Sequence, residues 1–227
     1  MSIEPTTALE RFDRNTWLQL LLGTIPYTGG VHKAIAIRVQ RIRDERLQRF
    51  LQGLQEDVRK LGEQKLNKDF LDSEAFYSVL EFVWTQVAQT RDQEKLRYLR
   101  AFFTSTLTNE APDVTLEELF KKYLISMTGA HLRLLEVIYG KQSRYSRADR
   151  AHFPSPLEGE IPLSVVDLYN ILPNYPTELI RTLCVDLTSN GLIGDWGATH
   201  PGERVQERFY LADNGLAFMR EMHRYLT

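Results

Sequence analysis

Residues 164–193 read SVVDLYNILPNYPTELIRTLCVDLTSNGLI. Ser164, with an acidic residue three positions later, is typical of the start of a helix, here one of about two turns. Pro176 suits the first position of a second helix, because the backbone N–H that proline lacks has no partner there anyway. Gly191 suits the residue after that helix, where a left-handed backbone is favoured. This stretch therefore predicts two helices joined by a short turn.

Short strands flank the predicted helix pair. Residues 161–163 favour an edge strand, because Pro162 cannot donate a ladder hydrogen bond. Residues 192–193 and 208–211 predict a hairpin, and Asp213 predicts the cap of a closing helix. This order of elements predicts a winged helix-turn-helix. We therefore expect a mainly α protein, with an N-terminal helical bundle followed by a winged-helix domain with a small β-wing.

The N-terminal part of the chain has the pattern of packed helices. Residues 31–61 place apolar side chains mostly at spacings of three, four or seven, which is typical of a long helix with one buried face. Gly62 is suited to end that helix. Thr115 and Glu118 form a capping-box pattern that predicts the start of a later helix.

The organisation of the chain follows from these patterns. We expect a helical domain over residues 13–127 and a winged-helix domain over residues 128–227. Residues 140–160 are polar and contain two prolines, so they predict a long loop within the second domain.

The composition limits the classes of function. The 227 residues carry a net charge of −2, which does not point to a polyanion as the main partner. The single cysteine, Cys184, excludes an internal disulfide and is expected to be a small buried hydrophobe. The histidines show no metal-ligand spacing, and no catalytic motif is present. We therefore expect a cytoplasmic protein that is not an enzyme and holds no cofactor and no metal.

The outward face of the second predicted helix decides the kind of partner. In a helix-turn-helix this helix enters the major groove of DNA. Residues 128–227 carry ten lysines and arginines against twelve aspartates and glutamates, a net charge of −2. Since DNA affinity depends on neutralised phosphates, we expect protein contacts and only weak DNA binding. The residues expected to contact a nucleic acid or a partner are Thr177, Arg181, Thr182, Arg204 and Arg208.

Arginines are concentrated in the predicted long helix. Residues 33–60 carry eight lysines and arginines against four aspartates and glutamates, a net charge of +4. Such a face binds a nucleic acid, an acidic partner or an anionic lipid, or it is simply a solvated helix face. This basic helix face consists of Arg38, Arg41, Arg46 and Arg49.

Large apolar side chains are dense in the N-terminal half, and Trp17, Phe76 and Phe102 are examples. A small bundle leaves part of such a surface uncovered, and exposed apolar patches mark interfaces. We therefore expect a homodimer through the N-terminal helices, or else coverage of this surface by the winged-helix half of the same chain.

The C-terminal half resembles a known superfamily. Residues 176–190, the Gly191-Leu192-Ile193 sequence after them, and the LADNG sequence at 211–215 resemble the winged-helix superfamily of prokaryotic regulators, including the MarR type. These regulators often have L-T-x-x-G after the wing, and here Ala212 replaces the threonine. The resemblance implies a winged helix and a regulatory role.

A second resemblance covers other parts of the chain. The IPYTGG sequence at 25–30, the arginine-rich helix that follows, and TGAHLRLL at 128–135 resemble the Abi-alpha family of bacterial phage-defence proteins. This resemblance implies an alternative function, an abortive-infection effector that acts at membranes through the apolar, glycine-rich residues 17–39. A membrane-spanning helix is disfavoured there, because glycines and a proline interrupt the apolar run.

Overall fold

The computed structural model describes residues 34–108, 113–142, 162–195 and 207–226, and the side chains of all of these except 34–44, 63 and 142. The expectations for residues 17–33, for most of the loop at 140–160 and for the tip of the predicted hairpin lie outside the described residues.

The chain divides into two compact units. Unit 1 is Met1–Ile125 together with Arg224–Thr227, and unit 2 is Ser126–His223. The division falls two residues before residue 128, where the sequence places the start of the second domain. None of the described helices is both long and apolar enough to cross a membrane.

The described part of unit 1 is built from helices. Its elements are α1 (Ala34–Leu61), a short 3-10 turn (Glu63–Lys65), α2 (Lys68–Leu71), α3 (Glu74–Gln89), α4 (Gln93–Thr106) and α5 (Val114–Ser126). Helices α1, α3 and α4 pack against one another. Their contact surface is apolar, and Leu54, Phe76 and Phe102 are buried in it.

Local sequence explains where several of these helices begin and end. The Ser73 hydroxyl accepts a hydrogen bond from the Phe76 N–H at the start of α3, and the Asp92 carboxylate accepts one from the Glu94 N–H at the start of α4. Helix α1 ends before Gly62, which has a φ of 87° as expected for a glycine after a helix.

The predicted capping box at Thr115 and Glu118 is wrong. Helix α5 begins at Val114, two residues before the start that a cap at Thr115 implies, and the Asp113 carboxylate accepts the hydrogen bond of the Leu116 N–H at 2.9 Å. An aspartate caps a helix as well as a threonine does, so the local pattern allowed both starts. The Glu118 carboxylate instead accepts a hydrogen bond from the Lys121 ammonium.

The described part of unit 2 combines helices with a small sheet. Its elements are α6 (Gly129–Gln142), β1 (Leu163–Ser164), α7 (Val165–Ile171), α8 (Thr177–Ser189), β2 (Ile193–Asp195), β3 (Arg208–Leu211) and α9 (Asp213–His223). The three strands are antiparallel in the order β1-β3-β2. The prediction of a mainly α protein with a small sheet is confirmed at this level.

The end of α8 is determined by a glycine. Gly191 has a φ of 69°, its N–H donates to the Thr188 carbonyl, and the Leu192 N–H donates to the Leu187 carbonyl. These two bonds form a Schellman motif, so the predicted role of Gly191 is confirmed. Pro176 lies one position earlier than predicted, because it is the N-cap residue and α8 begins at Thr177.

The inner face of α8 packs into the core of unit 2. Ile180, Leu183, Cys184 and Leu187 are buried, as their helical spacing predicts. The helical spacing of apolar residues also predicts Leu179 on this inner face, but 40% of its surface is exposed. It lies at the edge of the buried stripe, where sequence spacing alone does not decide burial.

Close packing of α9 depends on a glycine. A Cβ at Gly215 would lie 1.9 Å from the Leu192 carbonyl oxygen, which belongs to the backbone and cannot rotate away. Gly215→Ala should therefore lower the free energy of unfolding by about 3 kcal/mol, as overpacked substitutions do. The control is Gly140→Ala in α6, where no atom lies within 4 Å of the added Cβ. That variant should gain about 0.5–1 kcal/mol, and urea denaturation of both variants checks the opposite signs.

Helix α7 begins with a capping box. The Ser164 hydroxyl accepts from the Asp167 N–H at 3.1 Å, and the Asp167 carboxylate accepts from the Ser164 N–H at 2.9 Å. The hydrogen bonds from Ser164 lower the pKa of Asp167. The carboxylate therefore stabilises the folded state fully above its usual pKa of 3.8, and this contribution is lost as pH falls through the lowered pKa.

Two substitutions test this cap. Ser164→Ala should lower the free energy of unfolding by about 1 kcal/mol at neutral pH, whereas Ser189→Ala at the exposed end of α8 should change it little. The difference between the wild type and Asp167→Asn should start to shrink as pH falls below 3.8 and should be lost below the lowered pKa, where the folded wild-type carboxyl is protonated and uncharged. A difference independent of pH would contradict the role of the charged carboxylate.

Candidate functional site

Arg181 lies on the outward face of α8, with 45% of its side chain exposed. Its Nη1 donates to Glu178 Oε1 at 2.6 Å, and its Nε donates to Glu207 Oε2 at 2.8 Å. Glu178 is one turn earlier on α8, and Glu207 directly precedes β3. The hydrogen bond to Glu207 and the charges of both glutamates raise the pKa of Arg181. Arg181 is thus held between two carboxylates, and these three side chains carry a net charge of −1.

The other predicted contact residues have different surroundings. Thr177 is the half-buried first residue of α8, and the Thr182 hydroxyl donates to the Glu178 carbonyl at 3.0 Å. Arg208 is half-buried on β3, opposite Ser164. Arg204 lies outside the described residues. The structure therefore gives Arg181 and Thr182 a common partner, Glu178, through its side chain and its carbonyl respectively.

Sequence reasoning missed Glu207 as a partner of Arg181. The two residues are 26 positions apart, and only the pairing of β3 in the sheet brings them together. The available signal was an acidic residue directly before a predicted wing strand, but the sequence alone does not determine the register of that strand.

Exposed apolar side chains lie on the two helices of this region. Helix α7 exposes Val166 and Tyr169, and α8 exposes Leu179 and Val185, of which Val185 is 61% exposed. Contiguous exposed apolar patches are common where a protein contacts another protein. The exposed residues of α7 and α8, defined here as the α7–α8 face, therefore include apolar groups as well as a neutralised charge.

The basic helix face predicted on α1 is only partly a surface. Arg38 and Arg41 lie on α1, but their side chains lie outside what the structure describes. Arg46 Nη1 donates to the carbonyls of Ala88 at 3.1 Å and Thr90 at 2.9 Å, at the C-terminal end of α3. Arg49 is exposed, and its Nε donates to the Glu45 carbonyl one turn earlier.

A pocket of about 250 Å³ lies between α1 and α4. We call it the arginine pocket, because four arginines line it: Arg46, Arg49, Arg97 and Arg100. The remaining lining residues among the described side chains are Phe50, Gln93 and Leu96, and none of these is acidic. Arg97 and Arg100 belong to α4 and were not among the predicted site residues. Their side chains face α1 only because the two helices pack together.

The adjacent glutamates Glu117 and Glu118 hold a buried lysine. The ammonium of Lys121 lies 2.8 Å from a carboxylate oxygen of each. Burial opposes the charge of Lys121, but the hydrogen bonds to both glutamates outweigh it and raise the pKa of this lysine. A lysine that keeps its proton in this way stabilises the helix and is a poor general base.

Two residues of reactive types in the described part of unit 2, His131 and Cys184, are also held in structural surroundings. His131 Nε2 lies 3.2 Å from the Asp186 carboxylate, and Nδ1 lies 2.8 Å from the Thr128 hydroxyl. Burial raises the pKa of Cys184 to about 12, so its thiol stays protonated at neutral pH. In the described ranges, no cluster of three or more His, Cys, Asp and Glu residues could hold a metal ion.

Comparison with protein-family models, with curated proteins and with solved structures finds no match to this chain.

The buried position of Cys184 predicts its reactivity. We expect an aromatic disulfide reagent to label the native protein only as fast as the protein unfolds, because the thiol is both inaccessible and protonated. Labelling should be complete within the mixing time in concentrated guanidinium chloride. Since Cys184 is the only cysteine, the released chromophore reports on this residue alone. Rapid labelling under native conditions would contradict the packing of α8.

Proposed function

We propose that this chain is a non-enzymatic prokaryotic protein with a regulatory role, whose unit 2 is a winged helix that contacts proteins and binds DNA only weakly. The order of elements supports the winged helix. Helix α6, strand β1, helices α7 and α8, the β2–β3 pair and helix α9 follow one another as in a winged helix-turn-helix. In this arrangement α8 takes the place of the recognition helix.

The position of Arg181 between Glu178 and Glu207 carries the proposal. A recognition helix needs cations to neutralise the phosphates of DNA, and this neutralisation supplies much of the affinity for DNA. Here the cation at the centre of α8 already has two carboxylate partners, at 2.6 and 2.8 Å. A phosphate would have to displace both, and it would then lie beside two negative charges.

The apolar groups of the α7–α8 face support a protein partner. Four of the six large apolar side chains that are exposed in the described residues lie on α7 and α8. Burying such groups is favourable by about 25 cal/mol per Å² of apolar surface, and it needs no cationic surface. Exposed apolar groups on the two helices, together with a neutralised arginine on α8, are therefore better suited to a protein than to DNA.

The homodimer expected through the N-terminal helices remains a prediction. Phe76, Phe102 and Phe120, which belong to the apolar residues behind that expectation, are buried within unit 1. The large apolar side chains that unit 1 exposes in its described ranges are Val114 and Ile125, both on α5. A self-association surface in this part of unit 1 would therefore include α5.

Substitutions around Arg181 test whether its carboxylates limit DNA binding. The wild type should bind duplex DNA weakly, and Arg181→Ala should change the affinity little. Glu178→Gln combined with Glu207→Gln removes both negative charges and should increase the affinity and steepen its salt dependence. Fluorescence anisotropy with a labelled duplex, at several salt concentrations, measures both quantities. A tight, sequence-selective complex that is lost in Arg181→Ala would overturn the proposal.

A matched pair of variants tests the protein contact. Val185→Asp places a charge on the α7–α8 face, and Val114→Asp places the same charge on α5 of unit 1, at a site 76% exposed. Partners captured from the native cytoplasm and identified by mass spectrometry should be lost with Val185→Asp and kept with Val114→Asp. Equal capture by both variants would show that the α7–α8 face is not the contact.

A further inference from the structure

We propose that the arginine pocket of unit 1 is a binding site for a phosphomonoester group carried by a small organic molecule. The pocket is separate from the α7–α8 face, since all of its described lining residues belong to unit 1. Its guanidinium groups come from two helices, Arg46 and Arg49 from α1 and Arg97 and Arg100 from α4. A planar guanidinium donates two parallel hydrogen bonds to a phosphate, which makes clustered arginines suited to this group.

The charge of the pocket matches a dianion. Arg97 Nη2 lies 3.0 Å from Glu94 Oε2, and Arg100 forms an ion pair with Asp57. Arg46 and Arg49 have no carboxylate partner among the described residues. Two of the four positive charges are therefore not compensated by these carboxylates. A phosphomonoester carries a charge of about −1.5 to −2 at pH 7, so it would neutralise them.

Arg100 is positioned by a glycine and an aspartate on α1. A Cβ at Gly53 would lie 2.0 Å from Arg100 Nη1, so the guanidinium occupies the space that a side chain would take. Glycine in a helix interior costs roughly 1 kcal/mol relative to alanine, and here it lets the arginine approach the helix. Asp57, one turn further along α1, is buried and holds the same guanidinium. Burial raises the pKa of Asp57, while the charge of Arg100 acts to lower it.

Arg46 is positioned in a similar way. Its Nη1 is bound to two carbonyls at the end of α3, which fixes the side chain in the pocket wall. Arg49 differs, because its described hydrogen bond uses only Nε and links it to its own helix. The pocket therefore combines guanidinium groups that are fixed in place with one that is exposed and able to close on a ligand.

The size and the apolar wall indicate the rest of the ligand. Pockets for drug-sized ligands have volumes of about 300–1,000 Å³, and this one is smaller at about 250 Å³. Phe50 and Leu96 offer apolar surface beside the arginines, and Gln93 offers an amide that can donate and accept. These features fit a compact phosphorylated metabolite, and the head group of phosphatidic acid carries the same chemistry.

Titration calorimetry of the full chain tests the proposal with three probes. Inorganic phosphate and a nucleoside 5′-monophosphate should bind, and the parent nucleoside should not. Co-sedimentation with phosphatidylcholine vesicles, with and without phosphatidic acid, tests whether the protein binds the lipid head group. Binding of the soluble probes alone identifies a metabolite as the source, and binding of phosphatidic acid vesicles alone identifies a lipid. If neither the soluble phosphate probes nor the phosphatidic acid vesicles bind, the proposal is overturned.

Three variants separate the pocket from general electrostatics. Arg49→Gln should weaken phosphomonoester binding about tenfold or more, because it removes a charged hydrogen-bond donor. The control is Arg59→Gln, which removes the same charge from an exposed position on α1 that does not line the pocket. It should bind like the wild type. Gly53→Ala leaves the charge unchanged but displaces Arg100, so it should also weaken binding.

The comparison of these variants decides the outcome. Thermal unfolding checks that each variant is folded. Equal losses with Arg49→Gln and Arg59→Gln would show that only net charge matters, and the proposal would fail. If Arg49→Gln is destabilised, the test rests on Gly53→Ala alone. A phosphomonoester affinity in Gly53→Ala equal to that of the wild type would then overturn the proposal.

Discussion

The pairing of strand β3 with both of its neighbours is the constraint on which the described part of unit 2 depends. Phe209 pairs with Leu163 of β1, and Leu211 pairs with Ile193 of β2. Because side chains alternate along a strand, a slip of one residue would turn the buried Phe209 and Leu211 outward. The same register fixes the residues at both ends of β3. Glu207 reaches Arg181 at the start of the strand, and α9 begins directly after its end.

The role of each arginine in this protein depends on the groups that the fold places beside it. Arg181 is exposed, yet two glutamates neutralise it. Arg46 was expected on a basic surface, but it binds the carbonyls that end α3. Those carbonyls carry the negative end of the helix dipole, which favours a cation there. Counting charges along the sequence therefore overestimates the basic surface of α1 and does not reveal the neutralisation on α8.

The same argument applies to two charged residues inside unit 1. Lys121 is buried with Glu117 and Glu118, and Asp57 is buried with Arg100. A buried charge is costly unless it is paired, so such groups are tied to their partners. The arginine pocket differs because the partners of Arg46 are neutral carbonyls, which leave its charge available to a ligand.

The sequence by itself determined the features that depend on a few neighbouring residues. Gly62 and Gly191 end helices with a positive φ, and Ser164 caps α7, because turn and cap geometry is decided within about one helical turn. The helical spacing of apolar residues also placed most of the inner face of α8 correctly. Where two local starts were equally good, as at Asp113 and Thr115, the sequence did not choose between them. Only the tertiary structure decided that Glu207 meets Arg181, that Leu179 is exposed, and that four arginines from two helices share one pocket. These contacts join residues that are far apart in the chain, and they depend on strand register and helix packing, which no local pattern specifies.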